Sequence, residues 1–364
     1  MNFDFSEEQL LLKSEARRFL ENSCDLSLVR TVLDDDSTSY HAQLWRSIAD
    51  LGWTSTVIPE EYGGLGLTAV ELCAIAEELG RSIAPIPFSS TAYLFTHALL
   101  IAGSQEQKSR LLPKIATGEI IGCCAIAESP GETPIKTNYR ASGLKGIKMP
   151  VTDGDIAQYA VVLATDSNGE SLFLIDLSSP NIQREKLKIL DPTRSAAKIV
   201  FSGVEAEPLG PSGKGRELKE LIYDQCAIYT AFEQIGGTDA VLDLAKNYAL
   251  ERYAFGRPIG SFQAIKHRLA QMYIHSQLAR SHAYYGAWAL ASKSEKLPLA
   301  ASAAIVSASK AYWFASKECI EIFGGLGATW EADCHLFYRR GKQLSLMLGQ
   351  PTYWRERLVS ALEQ

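Results

Sequence analysis

The chain has 364 residues, of which 46% are hydrophobic and 21% charged, with a formal net charge of -6. This length exceeds that of a typical single hydrophobic core, so two or three domains are expected. The acidic balance argues against electrostatic binding to nucleic acid or to an anionic membrane surface. There is no secretory leader pattern, no apolar run of about 18 residues and no Cys-x-x-Cys spacing among the seven cysteines. We therefore expect a cytoplasmic protein with reduced thiols and no membrane span.

The first block, residues 1–120, has the apolar spacing of helices. Apolar residues between Leu10 and Leu20 recur at helical intervals and predict a first helix. After the glycine-rich turn IPEEYGGLGLT, a second predicted helix covers Thr68–Leu79 and ends at Gly80. This block is predicted to be an N-terminal helical domain.

Strand patterns replace the helical period over residues 121–208. The runs VVLA, SLFLIDL and AAKIVFSGV are separated by Asp-Gly, Asn-Gly and Ser-Pro turn signals, which predict a small β-domain. Long Ala-rich helical segments then fill residues 209–364 and are sufficient for a four-helix bundle. The predicted fold class is α+β.

Four segments, in order along the chain, resemble one enzyme family. They are IPEEYGGLGLT with its AEELG helix, LLPKIATGEIIGCCAIAE, YALERYAFGRPIGSFQAIKHRLAQM and EIFGGLGATWEADCHLFYRR. Together they resemble the acyl-CoA dehydrogenases over nearly the whole chain. The resemblance implies an N-terminal helical domain, a central β-domain and a C-terminal four-helix bundle, assembled as dimers or tetramers with FAD at the interface.

Arg252, Phe255 and Gln263 are predicted cofactor contacts. Arg252 carries a permanent charge on a planar guanidinium that suits a pyrophosphate. Phe255 offers an aromatic face to an adenine or ribityl group, and Gln263 offers an amide donor and acceptor. A solvated arginine and a core phenylalanine at a helix-helix turn explain an isolated pattern of this kind better. The prediction therefore depends on the GSFQAIKH segment that follows directly.

A glycine turn later in the chain is the second predicted cofactor contact. At Gly324, Gly325 and Gly327, backbone amides can approach a phosphate without an intervening Cβ, although the same pattern also describes a helix C-cap. The resemblance implies that these elements hold the adenosine-diphosphate half of the partner subunit's FAD. Glu321 stands where the family usually has Gln, and a carboxylate repels a pyrophosphate, so that single contact departs from the pattern.

Both positions where the family places its catalytic base lack a carboxylate. Desaturation of an acyl thioester needs a base that removes the α-proton while flavin N5 takes the β-hydride. The resemblance places this Glu either before a glycine near the C-terminus, here Leu348 before Gly349, or on the first C-terminal helix, here Cys226. The Arg that commonly follows the second position is Ala227. The sequence therefore predicts no catalytic residue at either position.

Other carboxylates remain as alternative bases. Glu233 lies seven residues after Cys226, on the same helix face but about 10 Å further along the axis. Asp224 precedes Cys226 by two residues and points elsewhere, and Glu331 follows the glycine turn. Glu233 is expected to be solvated, as a Glu near a helix surface usually is.

The segment that the resemblance places against the flavin ring is also altered. Relatives commonly carry a Thr-Glu-Pro-Gly-x-Gly-Ser-Asp loop, which here is shortened and reads AESPGE over residues 127–132, with Ala127 in place of the threonine. In the strand that follows, Pro150 removes a backbone donor. Two absent bases and two altered ring contacts form one pattern.

The pattern suggests division of labour between two different family members in an α2β2 assembly. This chain would be the partner that lacks the base and completes the adenosine side of an FAD site, with a bulky acyl-CoA such as a steroid side-chain thioester as substrate and electron-transfer flavoprotein or a similar protein as acceptor. A homotetrameric acyl-CoA dehydrogenase with a displaced base, Glu233 or Glu331, is the first alternative. A flavin-free structural or regulatory partner is the second.

Overall fold

Helices precede and follow a strand-rich segment in the computed structural model, which describes residues 5–129 and 134–363. Two of the helices begin at a capping box. In each, the hydroxyl of the N-cap serine accepts the backbone N–H of a glutamine three residues later, and the side chain of that glutamine accepts the backbone N–H of the serine. The α+β fold class predicted from the sequence is confirmed. The helices are α1 (Glu7–Ser23), α2 (Leu26–Leu33), α3 (Ala42–Asp50), α4 (Ala69–Arg81), α5 (Thr96–Ala102), α6 (Gln105–Ala116), α7 (Gly215–Glu251), α8 (Gln263–Ala291), α9 (Leu297–Phe323), α10 (Cys334–Met347) and α11 (Pro351–Leu362).

In the described part of the chain, eight strands form one mixed sheet and two more form a short hairpin. The sheet order is β6-β7-β3-β2-β4-β5-β8, with β1 paired in parallel to β4. The strands are β1 (Gly122–Ala125), β2 (Asn138–Arg140), β3 (Gly143–Thr152), β4 (Tyr159–Thr165), β5 (Glu170–Asp176), β6 (Ile182–Lys186), β7 (Ala196–Val204), β8 (Glu207–Leu209), β9 (Tyr253–Ala254) and β10 (Arg257–Pro258).

Residue contacts group the chain into two compact units. One comprises Met1–Val29, Ala69–Ala84 and Ala227–Gln364, and the other comprises Arg30–Thr68 and Pro85–Cys226. The three-domain division of the sequence at 120/121 and 208/209 stays a prediction. Among the described residues, no helix is both long and apolar enough to cross a membrane.

The first unit is helical, and its long helices α8 and α9 pack closely because their facing residues are small. On α9 half of the buried residues are alanines, and from Ala301 onward they recur every three or four residues, as expected for one helix face. Small side chains let two helix axes approach closely. The buried alanines of α9 are Ala300, Ala301, Ala304, Ala308, Ala311 and Ala315.

Helices α4 and α7 approach each other at two glycines. A Cβ on Gly80 would lie 1.8 Å from the carbonyl oxygen of Glu233, and a Cβ on Gly236 would lie 1.7 Å from that of Glu77. The prediction that Gly80 ends its helix was wrong, because α4 continues through Gly80 to Arg81. Glycine is required at position 80 because the backbones of α4 and α7 lie too close there for a Cβ, and it does not end the helix.

A cluster of ion pairs joins the helices of this unit around Glu77. The buried Glu77 carboxylate lies 2.7 Å from Lys13 Nζ of α1 and 2.8 Å from Arg280 Nη1 of α8. Burial alone would raise the pKa of Glu77, but the charges of Arg280 and Lys13 hold it below its ordinary value. The carboxylate therefore stays ionised in the folded protein at neutral pH.

We expect Glu77→Gln to weaken the pH dependence of stability in mild acid. Because the folded-state pKa of Glu77 is depressed, its stabilising contribution is present above the unfolded pKa of about 4.3 and is lost as the pH falls toward the folded value. Urea unfolding between about pH 6 and pH 3 measures this slope. Glu15→Gln, which removes an exposed partner of Arg18, is the matched control and should keep the parental slope.

The second unit carries the sheet. The central residues of β4 and β5 are all buried, which explains why VVLA and SLFLIDL read as continuous apolar runs and not as alternating patterns. A buried ion pair lies beside this sheet, with Arg194 Nη2 2.6 Å from Asp153 Oδ2. Ser90 Oγ donates to the same carboxylate oxygen at 2.6 Å, and Arg194 Nη1 donates to Ser89 Oγ at 2.9 Å.

Candidate functional site

Phe255 stands at the tip of the hairpin that follows α7. Strands β9 and β10 pair antiparallel, and the two residues between them, Phe255 and Gly256, have φ angles of 53° and 77°. Two consecutive positive φ angles suit a tight hairpin turn, but a bulky residue there is strained. The Phe255 side chain is also 97% exposed. Backbone strain at a residue with an exposed aromatic ring is typical of a residue that contacts another molecule.

Arg252 and Gln263 lie on either side of this hairpin and are both exposed. The backbone N–H of Arg252 donates to Tyr248 O, and Ile259 N donates to Arg252 O, both at 2.8 Å, so the hairpin base is fixed. Across residues 5–129 and 134–363, no carboxylate forms an ion pair with the Arg252 guanidinium. The cation predicted to contact a pyrophosphate is therefore available to an external anion.

The glycine turn follows α9 as a short 3-10 helix, Gly324–Ala328. A Cβ on Gly324 or Gly325 would meet no atom within 4 Å, whereas a Cβ on Gly327 would lie 2.5 Å from Ile320 O. Gly327 is thus needed for packing against α9, and the first two glycines leave an open backbone surface. Gly324 N donates to Glu321 O, and the Glu321 side chain is exposed.

One aromatic stack joins the hairpin and the glycine turn. Tyr248, one helical turn before Arg252, stacks on Phe323, which directly precedes Gly324, with ring centroids 4.0 Å apart and an interplanar angle of 13°. The structure therefore brings the predicted contacts at 252–263 and 321–327 to the same end of the helical unit. Sequence reasoning did not identify this pair, because an aromatic residue near a helix end has no distinctive pattern.

Both predicted base positions are occupied by buried residues that are not acids. Leu348 is 2% exposed at the end of α10, and its carbonyl accepts a hydrogen bond from Trp354 Nε1 at 3.0 Å. The thiol of Cys226, on α7, is fully buried and donates to Tyr93 O at 3.0 Å. Burial raises the pKa of Cys226 well above its ordinary value, so it is not a thiolate at neutral pH.

The expectation that Glu233 is solvated was wrong. Its side chain is buried, and its carboxylate lies 3.9 Å from Nη1 of the buried Arg340, which also donates to Ala84 O at 3.3 Å. The reason is the close crossing of α4 and α7, which covers this part of the α7 surface. Asp224 is likewise buried, and Glu331 is exposed.

The two altered residues on the predicted flavin-ring side are neighbours in the structure. Met149 N, which precedes Pro150 on β3, donates to Ala127 O at 2.9 Å. Ala127 has no hydroxyl and Pro150 has no N–H, so each lacks a donor that the resemblance implies. The rest of the predicted loop, at residues 130–132, lies outside the described residues.

A buried lysine supports this segment and was missed by sequence reasoning. Lys148 Nζ donates to Ile126 O and to Glu128 Oε1, each at 3.0 Å, while Glu128 accepts the backbone N–H groups of Lys136 and Thr137 at 2.8 Å. Burial lowers the pKa of Lys148 to about 8. Burial by itself would raise the pKa of Glu128, but these hydrogen bonds lower it to about 2. The signal for Lys148 in the sequence was its position among the inward-facing residues of β3.

Comparison with known proteins identifies the family. Residues 6–119 match the acyl-CoA dehydrogenase N-terminal domain, and residues 222–362 match the acyl-CoA dehydrogenase C-terminal domain. The acyl-CoA dehydrogenase IpdE2 of Mycobacterium tuberculosis is 32% identical over 355 residues, covering 97% of each protein.

Solved structures agree with this assignment. The structure titled the Tcur3481-Tcur3483 steroid ACAD has a TM-score of 0.86 at 28% identity and covers 98% of both chains. The ChsE4-ChsE5 complex from Mycobacterium tuberculosis has a TM-score of 0.90 at 24% identity, covers 100% of this chain and 99% of that one, and shows the shared fold. The chain therefore belongs to the acyl-CoA dehydrogenase family.

Proposed function

We propose that this chain is the partner subunit of an FAD-dependent acyl-CoA dehydrogenase, in an α2β2 assembly with a second family member that carries the catalytic Glu. The observation that carries the proposal is the absence of a carboxylate at both family base positions. Leu348 cannot accept a proton, and the pKa of the buried Cys226 thiol is raised well above its ordinary value. We infer that the α-proton of the substrate is removed by a side chain of the other subunit.

The adenosine side of an FAD site fits the residues of this chain. Arg252 supplies an exposed guanidinium for a pyrophosphate, Phe255 a nearly fully exposed ring, and Gly324 and Gly325 a backbone surface that no Cβ covers. Gln263 at the start of α8 adds an exposed amide. Glu321 is the one anionic group in this set, and its exposed side chain can turn toward solvent.

The segment of this chain that is predicted to lie against the flavin ring fits FAD less well. Ala127 and Pro150 both lack the donors implied there, although Glu128 and Lys148 keep the backbone of this segment fixed. When bound, FAD supplies the acceptor for the hydride that leaves the β-carbon of the thioester. In the proposed assembly this chain binds and orients the adenosine half, and the ring and acyl pocket belong mainly to the other subunit.

The proposed substrate class is a bulky acyl-CoA, such as a steroid side-chain thioester. It is supported by the likeness to a structure whose title names a steroid ACAD. We propose electron-transfer flavoprotein or a similar protein as acceptor, because acyl-CoA oxidation leaves two electrons on the flavin.

A homotetramer with a displaced base is the second candidate. Glu233 is disfavoured because its side chain is buried and its carboxylate lies 3.9 Å from Nη1 of the buried Arg340. Glu331 is exposed, where water competes for the proton. If either acts as base, Glu233→Gln or Glu331→Gln should abolish desaturation by the isolated chain.

We expect the chain purified alone to show neither flavin absorption nor desaturation of acyl-CoA. Co-purified with a family member that retains Glu at one base position, it should give a yellow complex with about two flavins per tetramer, because only one of the two kinds of interface is complete. Absorbance in the flavin bands and a flavin-to-protein ratio measure this. A yellow, active homo-oligomer would contradict the proposal, and a stable but colourless complex would favour the flavin-free partner.

Arg252→Met should weaken flavin retention by the complex about 10–100-fold, because a charge-assisted contact contributes about 1.5–3 kcal/mol. Arg355→Met, which changes another exposed arginine of the same unit, is the matched control and should retain flavin normally.

A further inference from the structure

Helix α8 carries a line of residues with the spacing of a coiled coil. Six residues follow one another at alternating intervals of four and three positions, and this spacing keeps them on one line along the helix surface. The first five are exposed and the sixth is half-buried. These six residues, which we call the α8 seam, are His267, Gln271, Ile274, Leu278, Ser281 and Tyr285. Side chains at this spacing interlock when two helices pack side by side.

The middle of the α8 seam is apolar. Ile274 is 47% exposed and Leu278 is 53% exposed, and Tyr273 beside them is 56% exposed. The helix is anchored in its own unit by the opposite side, where Met272 and Ala279 are buried. The exposed aliphatic side chains are therefore not part of the core of this chain. A group of neighbouring exposed apolar side chains is typical of an interaction surface.

The α8 seam is complementary to itself. When two copies of α8 are placed antiparallel about position 276, each seam residue faces one that suits it, aliphatic against aliphatic and hydrogen-bonding group against hydrogen-bonding group. The pairs are Ile274 with Leu278, Gln271 with Ser281 and His267 with Tyr285. A surface that meets its own copy across a two-fold axis must match in this way, because each residue of a pair then makes the same contact twice.

Charge is absent from the middle of α8. The helix contains no Asp or Glu, and residues 269–279 contain no Lys or Arg either. Arg268 and Arg280 are paired with carboxylates of the same unit, which leaves Lys266 near the start of the helix. A parallel pair would bring the Lys266 groups of both copies toward the same end, whereas an antiparallel pair keeps them at opposite ends. The charges therefore favour antiparallel pairing and do not oppose contact in the middle.

We propose that two copies of this chain pair antiparallel through the α8 seam across a two-fold axis. The axis passes beside Ile274 and Leu278, so four aliphatic side chains meet at the centre of the contact and leave water. In an α2β2 assembly this contact would join the two copies of this chain to each other, a role that rests on the proposed function. The pairing itself does not depend on flavin or on the second family member.

A charge placed at the centre of the α8 seam tests the pairing. Ile274→Arg brings two guanidinium groups beside the axis and removes apolar burial from both copies, so we expect the dimer dissociation constant to rise at least about 10-fold. Sedimentation velocity of the full chain measures this constant. Val359→Arg is the matched control, because Val359 on α11 is 54% exposed and lies outside the seam. An equal effect of both variants would overturn the proposal.

Disulfide trapping tests the register. In the double variant Gln271→Cys with Ser281→Cys, each new thiol faces one of the partner copy, and mild oxidation should give a covalent dimer on a non-reducing gel. Each single variant should give none, because its two thiols lie about 15 Å apart along the axis, whereas a disulfide requires Cα atoms within about 7 Å. Both positions are exposed, so the fold does not depend on them.

The trapping experiment is performed on the full chain alone and on its complex with the second family member. Cross-linking by the single variants would mean a parallel pair and would overturn the proposal. The absence of a covalent dimer of this chain in both preparations, or cross-links made only to the other subunit, would do the same. A yellow, active homo-oligomer that forms the expected cross-link would contradict the proposed function but support the pairing, so the two can fail separately.

Discussion

Replacing Arg194 by methionine is expected to lower the free energy of unfolding by about 3–5 kcal/mol, because it leaves a buried carboxylate without its cation. Arg194 and Asp153 are both nearly inaccessible to solvent and lie 2.6 Å apart. Asp153 also has a positive φ of 55°, a strained backbone conformation that its surroundings hold in place. Urea denaturation followed by circular dichroism measures the change.

The matched control is Arg216→Met. Arg216 also pairs with a carboxylate, Glu170 at 2.7 Å, but its side chain is largely exposed, so the expected loss is below about 1 kcal/mol. The double variant Asp153→Asn with Arg194→Met should recover part of the lost stability, because no unpaired charge stays buried. Equal losses for Arg194→Met and Arg216→Met would contradict the interpretation.

Adding one methyl group at Gly236 is expected to destabilise the helical unit by about 3 kcal/mol, the upper part of the usual range for overpacking. The new Cβ would lie 1.7 Å from Glu77 O, and a backbone atom of α4 cannot move aside without shifting the helix. Helix propensity works in the opposite direction by about 1 kcal/mol, so a net loss identifies the backbone contact. Thermal and urea unfolding of Gly236→Ala measure the loss.

Gly286→Ala is the matched control within the same unit. Its nearest atom is Ile228 Cδ1 at 2.4 Å, the far end of a flexible side chain that can change rotamer. We therefore expect a change in stability of less than about 1 kcal/mol, since the gain in helix propensity offsets part of the repacking. A loss as large as that of Gly236→Ala would mean that the α4–α7 contact has no special role.

Several features of the candidate site were predictable, because each depends only on which type of residue stands at a given position of a motif. The guanidinium of Arg252, the ring of Phe255 and the glycines at 324 and 325 were identified from a motif with fixed spacing, and the structure exposes all of them. The pKa values of Lys148 and Glu128 could not be anticipated, because each depends on groups that the fold brings to it from other elements.

By itself, the sequence determined the order of helices and strands, the family and the missing carboxylates at Leu348 and Cys226, since periodicity and motif spacing are local properties of the chain. Only the tertiary structure decided that Gly80 lies within a helix, that Glu233 is buried beside Arg340 and that Lys148 meets Glu128. In each of these cases the outcome depends on a backbone or side chain from a different element. Burial and pairing of this kind have no local pattern in the sequence.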